Sequence, residues 1–430
     1  MRSREFVSFP VSDFRKTKLQ MLSWASQFDI FCFLDNHEYP FLHHSQECLL
    51  AAGARYSLEA KAGNAFEQLK EFSVRYKDWL FGHFGFDLKN ETEKLSSIHP
   101  DGIEFPDLFF FVPEIIVELG SNQLRIGLFN NDHAAVFERI ITSDPVFIAG
   151  MKSVNGIQAR CTRSQYIETV RQLGLHILRG ECYEINFCQE FYADAANCDP
   201  IQLYLRLSKI SPAPFAAFYR LKEKWLLCAS PERFLKRTGN ILLSQPIKGT
   251  RTRNTQDNHL DQDNREELFN SGKDRSENVM IVDLVRNDLS KVCVPGSVAV
   301  EELYGIYSFP QVHQMISSVC GVLDVVGHWT EIIKATFPMG SMTGAPKKRV
   351  LELIEQYEQR KRGLFSGAVG YIAPNEDFDF NVVIRSILIN QRNRYLSYQA
   401  GSAITFYSEA QQEYEECLLK VAAIKKVLTA

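Results

Sequence analysis

The sequence predicts an α+β fold, a large α/β sandwich of two sheets with helices on the outside. Strand-like segments recur close together through the second half: PFAAFYRL, KWLLCASP and NILLSQP, then GAVGYIAP, DFNVVIRSILI and RYLSYQAGSAI. Several are apolar at consecutive positions, as in strands covered on both faces. Stretches long enough to lie across a sheet as helices run from Glu266 to Leu289 and from about Ser408 to Leu428.

In chain order, the first part, to about Ala149, reads as mixed strands and helices. FVPEIIVELG followed by QLRIGLFN predicts a hairpin, with Gly120, Ser121 and Asn122 at the turn. Gln165 to Leu178 has apolar spacing near 3.6 and predicts an amphipathic helix capped by Gly180. There is no repeat, low-complexity tract or obvious linker. We divide the chain at 150: residues 1–150 form the N-terminal part of the sandwich, and residues 151–430 hold the residues of chemical interest.

Composition narrows the function. The net charge of -4 argues against a general nucleic-acid binder, which normally carries a strongly basic domain. The ten cysteines are scattered with no CxxC pair, which excludes zinc-ribbon spacing and does not resemble a disulfide framework. No segment approaches the roughly 18 uninterrupted apolar residues of a membrane span, and the N-terminus lacks the apolar core of a signal peptide. A soluble, cytoplasmic protein is expected.

Lys248, in Gln245-Pro246-Ile247-Lys248-Gly249-Thr250, lies 16 residues after Glu232 (248 − 232 = 16), in Ser230-Pro231-Glu232-Arg233-Phe234. If the two strands form a hairpin, the side chains can face each other. A lysine in a strand is ordinarily a solvated surface residue. At the end of an apolar strand, burial would lower its pKa and make the amine a nucleophile, with a carboxyl group beside it as general acid or base. Glu277 precedes the apolar run VMIV, so this end of its helix is expected to be partly buried. Glu413, Glu416 and Lys420 share one face of the last helix. They form either a surface salt-bridge ladder or, with a carboxylate from another helix, an oxygen-only site suited to Mg²⁺. Gly340 to Lys347 precedes a helix and either caps it or binds an anion. Gly401-Ser402-Ala403 is either a tight turn or a carboxylate cradle. Arg385, inside an apolar strand, either reaches solvent or needs a buried anion. Together these residues describe a cavity that neutralises a dianion.

The ordered segments SPERF, PIKGTRTR, DRSENVMIVDLVRNDLSKV, FPMGSMTGAPKKR, RGLFSGAVGYI, VVIRSI, QAGSAI and EAQQEYEECLLKV resemble the chorismate-utilising family. They cover about Arg179 to the C-terminus, and WLFGHFGFDL extends a looser likeness toward the N-terminus. The resemblance implies a fold like that of anthranilate synthase component I, with residues 151–430 as the chorismate-binding catalytic domain. It implies that Glu277 and Glu416 bind Mg²⁺, with Glu413 acting through water, and that the metal holds the ring carboxylate. Arg385 and Tyr371 would contact the enolpyruvyl group, and amides near Gly401, Ser402 and Ala403 its carboxylate. Thr343 would sit at the ring and Lys420 near the ring carboxylate.

PIKGT resembles the branch that aminates chorismate at C4, giving 4-amino-4-deoxychorismate; anthranilate-forming relatives usually carry Ala in place of the Lys. Lys248 would attack C2 while Glu232 protonates the departing C4 hydroxyl, and ammonia would then attack C4 and expel Lys248. The isochorismate-forming relatives use a lysine base in the stretch matching Glu181 to Tyr192, where this chain has none. The amidotransferase setting of a Cys in a Gly-rich elbow with a distant His-x-Glu is absent, so ammonia is expected from a separate glutamine amidotransferase subunit. A separate lyase would then release 4-aminobenzoate for folate synthesis. An anthranilate or isochorismate synthase, and a non-catalytic member, are the alternatives.

Overall fold

A computed structural model describes residues 3–39, 43, 46–148, 153–324 and 327–429; the division placed at 150 lies outside them. The strand Leu108–Leu119 joins two sheets. It pairs with Cys48–Ala60 along most of its length, with Leu80–Phe84 through its first half and with Gln123–Leu128 through its second. One sheet continues from Cys48–Ala60 through Ile30–Asp35, Phe215–Leu221, Lys224–Ser230, Ser386–Asn390 and Tyr395–Ile404 to Glu184–Ala193. The other runs from Leu80–Phe84 through Ala368–Ile372, Phe378–Asn381, Arg233–Thr238 and Ile241–Gln245 to Val312–Val322. All these pairings are antiparallel, and they make the expected sandwich.

Strand alternation explains the two-sided apolar patterning. In Lys224–Ser230, Leu226 and Cys228 enter one core, beside Phe81, Phe84 and Phe380. Trp225, Leu227 and Ala229 point the other way, into a core with Met21, Trp24 and Tyr204 contributed by the helices Phe14–Ala25 and Pro200–Ile210. The expected hairpin forms, with Gly120 N–H donating to the Gln123 carbonyl at 2.9 Å. The helix Arg163–Leu178 starts on a Thr162–Gln165 capping box and ends at Gly180, at φ +75°.

Three expected elements are broken. The stretch around Glu266 to Leu289 is two helices, Asn258–Asn270 and Gly272–Ser290, because Ser271 turns extended and caps the second by accepting from Asp274 N–H. The last helix divides at Val421 into Ala410–Lys420 and Ala422–Thr429. DFNVVIRSILI is two strands, Phe378–Asn381 and Ser386–Asn390, separated where Arg385 takes φ +51°. No helix among the described residues is long and apolar enough to cross a membrane.

Candidate active site

A cavity of about 380 Å³ opens where the strand Ile247–Thr252 and the helices Gly272–Ser290 and Ala410–Lys420 meet the end of Tyr395–Ile404. Lys248 enters it because its strand is irregular: pairing to Val312–Val322 shifts between Ile247 and Thr250. Gly249, inside that shift, has φ +92°, and a Cβ there would stand 3.0 Å from the Asp274 Cβ, so the Lys-Gly pair is needed for the turn. Glu232 lies in the bend between Lys224–Ser230 and Arg233–Thr238, its N–H donating to Ser230 Oγ at 3.2 Å. It lines the same cavity. Neighbouring Arg233 is structural: it is buried, forks onto Asp379 and stacks over Phe215.

The two groups have contrasting protonation. Burial pushes the Glu232 carboxyl up to about 7, against hydrogen bonds from Ser341 and the Ile247 N–H and the charge of Lys248. Glu232 is therefore a stored proton near neutrality. Burial also pushes the Lys248 ammonium down, but Glu184, Glu277 and Glu232 outweigh it and raise the lysine above its ordinary value. The net direction is therefore opposite to the lowered lysine expected from the sequence, although burial itself acts as expected. Its Nζ donates to Glu184 Oε1 at 2.6 Å, with both side chains under a tenth exposed.

Glu277 and Glu416 both face the cavity from different helices. Burial lifts Glu277 to about 7, and its buried Oε1 accepts no hydrogen bond. Glu416 pairs with Lys420 at 2.7 Å, and that charge draws its carboxyl down to about 2. Glu413 sits behind the wall, fully buried and bonded to Lys273 at 3.1 Å, with Oε2 unpaired. No group of three or more His, Cys, Asp or Glu among the described residues stands together as a metal cage. Two carboxylates lining one cavity, Glu277 with an open acceptor oxygen and Glu416, do suit a hard cation that takes its remaining ligands from water and an anionic substrate.

Arg385 lines the cavity too. Burial lowers it to about 10, with Glu416 the opposing charge, and its guanidinium has no ion pair among the described residues. Because Phe378–Asn381 and Ser386–Asn390 are separate, pairing of Ser386–Asn390 with Tyr395–Ile404 ends at Ser397. That leaves one edge of Gln399–Ile404 without a strand partner among the described residues, and Gly401 and Ala403 present it to the cavity. Lys420 Nζ donates to the Gly401 carbonyl at 3.0 Å.

Four expected residues stand elsewhere. Tyr371 lies away from the cavity, where it packs on Trp79 and Phe81 and lines a second cavity with Arg233 and Asp379. Thr343 is fully buried, its hydroxyl donating to the Met339 and Gly340 carbonyls. Ser402 points to the helices, bonding the Tyr166 hydroxyl and the Glu413 carbonyl. Glu413 is the fourth. Sequence reasoning missed Glu184, Asn186, Ser341 and Phe365, of which the last three line the cavity. Glu184 and Asn186, two polar residues one apart in the apolar strand EINFC, carried the only legible signal. The glycine-rich loop is not an anion cradle: Gly344 and Ala345 form a short strand against Glu184 and Ile185, and Lys347 is taken by Asp288 at 2.8 Å.

A family model described as chorismate binding enzyme matches residues 27–426. Aminodeoxychorismate synthase component 1 of Salmonella typhimurium is 35% identical over 350 residues, covering 81% of this chain and 76% of that protein. Anthranilate synthase component 1 of Saccharolobus solfataricus is 30% identical over 392 residues, covering 87% and 90%. The crystal structure of anthranilate synthase component I from Streptococcus pneumoniae superposes with a TM-score of 0.77 at 23% identity, covering 91% of this chain and 95% of that one, which establishes the sandwich fold. On this match across nearly its whole length, the chain belongs to the chorismate-binding enzyme family.

Proposed function

We infer that the chain is the synthase subunit that converts chorismate and ammonia to 4-amino-4-deoxychorismate, the precursor of 4-aminobenzoate. The observation that carries this reading is a buried lysine and a buried glutamate lining one cavity, Lys248 and Glu232, together with Arg385, with burial raising the Glu232 carboxyl to about 7. The relatives named aminodeoxychorismate synthase component 1 support it.

The residues divide the work by charge. Arg385 and the free edge at Gly401 and Ala403 receive the enolpyruvyl carboxylate through charge-assisted hydrogen bonds. Glu277 and Glu416 would hold Mg²⁺, with Glu413 and Lys273 bracing the helices behind them. Bound there, Mg²⁺ would supply positive charge to fix the ring carboxylate and offset its burial. Glu232 gives its proton to the C4 oxygen, which leaves as water, while the Lys248 amine bonds to C2 and the two ring double bonds shift. Ammonia then bonds to C4, the double bonds return, and Lys248 leaves with the C2–N electrons. Proton delivery of this kind is worth about 10²–10⁴ in rate. The part-name component 1 of the relatives fits an ammonia-supplying glutamine amidotransferase on a separate chain.

The test is to incubate the purified chain with chorismate, Mg²⁺ and an ammonium salt and to separate the products by chromatography. The 4-amino isomer is expected; anthranilate, recognised by its fluorescence, or isochorismate as the main product would overturn the reading.

A further inference from the structure

Glu184 opens the strand Glu184–Ala193 and is 3% exposed at its side chain. Alternate residues of a strand share a face, so Glu184 lies on the face of Asn186, which lines the cavity. One carboxylate oxygen meets Lys248 Nζ at 2.6 Å. The backbone at Glu184 has no room to retreat: a Cβ on Gly344, at φ +143°, would approach the Glu184 carbonyl oxygen to 2.0 Å. The short strand Gly344–Ala345 thereby pins the carboxylate against the amine.

A protonated lysine has no lone pair with which to attack carbon. The charged groups facing Lys248 are Glu184 from its strand, Glu232 from the bend after Ser230, Glu277 from the helix Gly272–Ser290 and Glu416 from the helix Ala410–Lys420. Glu232 must keep a proton to give to the leaving oxygen, Glu277 faces the cation site, and Glu416 is held by Lys420. Glu184 alone among them has a hydrogen bond to Nζ already formed.

We propose that Glu184 is the proton acceptor that makes Lys248 a nucleophile, acting through the lysine as a positioning residue and never on the substrate; this rests on the reading of Lys248 under Proposed function. As substrate expels water, an N–H bond of Lys248 breaks and an O–H bond forms on Glu184, because a neutral pair is cheaper to bury than an ion pair. The Nζ lone pair forms the C2–N bond, the C4–O bond breaks, and water departs with the Glu232 proton. Ammonia bonds to C4 and the C2–N bond breaks with its electrons returning to Nζ. Glu184 then restores the Lys248 proton, and the C4 ammonium restores the Glu232 proton.

The experiment compares wild type, Glu184→Gln, Glu184→Asp and Lys248→Ala with chorismate, Mg²⁺ and ammonium salts, at constant free ammonia across pH. Glu184→Gln is expected to lose about 10²-fold or more in kcat at neutral pH. Its KM for chorismate should stay within about threefold, and its kcat should climb with pH as solvent takes the proton instead. Glu184→Asp keeps the carboxylate and should show the wild-type pH profile at reduced kcat. If Glu184→Gln does not fold, as judged by thermal unfolding, the aspartate profile decides: a wild-type shape supports the proposal and an alkaline climb overturns it. A Glu184→Gln kcat within about threefold of wild type, or a loss equal at every pH, also overturns it. Lys248→Ala separates the two readings. Undiminished 4-amino product from Lys248→Ala removes the lysine nucleophile and this proposal with it. Loss of the 4-amino product in Lys248→Ala beside a Glu184→Gln of unaltered pH profile removes this proposal alone.

Discussion

Replacing Glu232 with glutamine should make the protein more stable at alkaline pH and nearly inactive. The carboxyl is 4% exposed, and burial lifts it from 4.5 to about 7. That difference of about 2.5 units, at 1.36 kcal/mol each, is about 3 kcal/mol. The sign follows from proton binding. Between the two values the folded chain holds the proton and the unfolded chain does not, so stability falls as pH rises. The contribution is intact below 4.5 and lost once pH has passed about 7. Glutamine has the same shape and never ionises. Lys248 keeps Glu184 as partner, so the substitution strands no buried cation. Glu232→Gln should therefore gain about 3 kcal/mol over wild type at pH 8 but under about 1 kcal/mol at pH 5. With an unfolding entropy of about 2.1 cal/mol/K per residue over 430 residues, the gain at pH 8 raises Tm by about 3–4 °C. Thermal unfolding at the two pH values measures this, and the product assay should show kcat lower by about 10²–10⁴. An equal Tm difference at both pH values would mean that Glu232 is ionised throughout, and the stored-proton argument would fall.

Lys248→Ala is expected to shift the product toward the 2-amino isomer, since ammonia can then add directly at C2; chromatography of the products checks it. Glu277→Gln removes one of two charged cation ligands and should abolish Mg²⁺-dependent chorismate binding in titration calorimetry while leaving the fold intact, because the carboxylate it replaces is itself poorly satisfied. Gly344→Ala drives a methyl group into the Glu184 carbonyl at φ +143°, which should cost about 3 kcal/mol or more and lower Tm.

Much of the fold was legible because periodicity survives in a single sequence. The two-sided apolar strands around Leu226 and Phe218, the hairpin at Gly120 and the capped helix ending at Gly180 all follow from local spacing and turn chemistry. The breaks were harder to read. Asn270-Ser271-Gly272 did carry a cap-and-break signal inside the apolar spacing, whereas Val421 sits in a stretch of continuous helical composition where nothing in the spacing marks the break. Arg385 was legible as a charge in an apolar strand, but not as a left-handed residue separating two strands.

Residue types and their order determined the family and most of the residues around the cavity: a lysine before glycine in PIKGT, a glutamate in SPERF and acids on two helices. Only the tertiary structure decided which of them share a wall. Strand alternation turned Ser402 away, the strand Ala368–Ile372 carries Tyr371 to a different cavity, and a buried hydroxyl bond took Thr343. Protonation was decided there as well. Burial acts on each group alone, but the charge of Lys248 depends on three carboxylates from distant parts of the chain, and their sum outweighs burial.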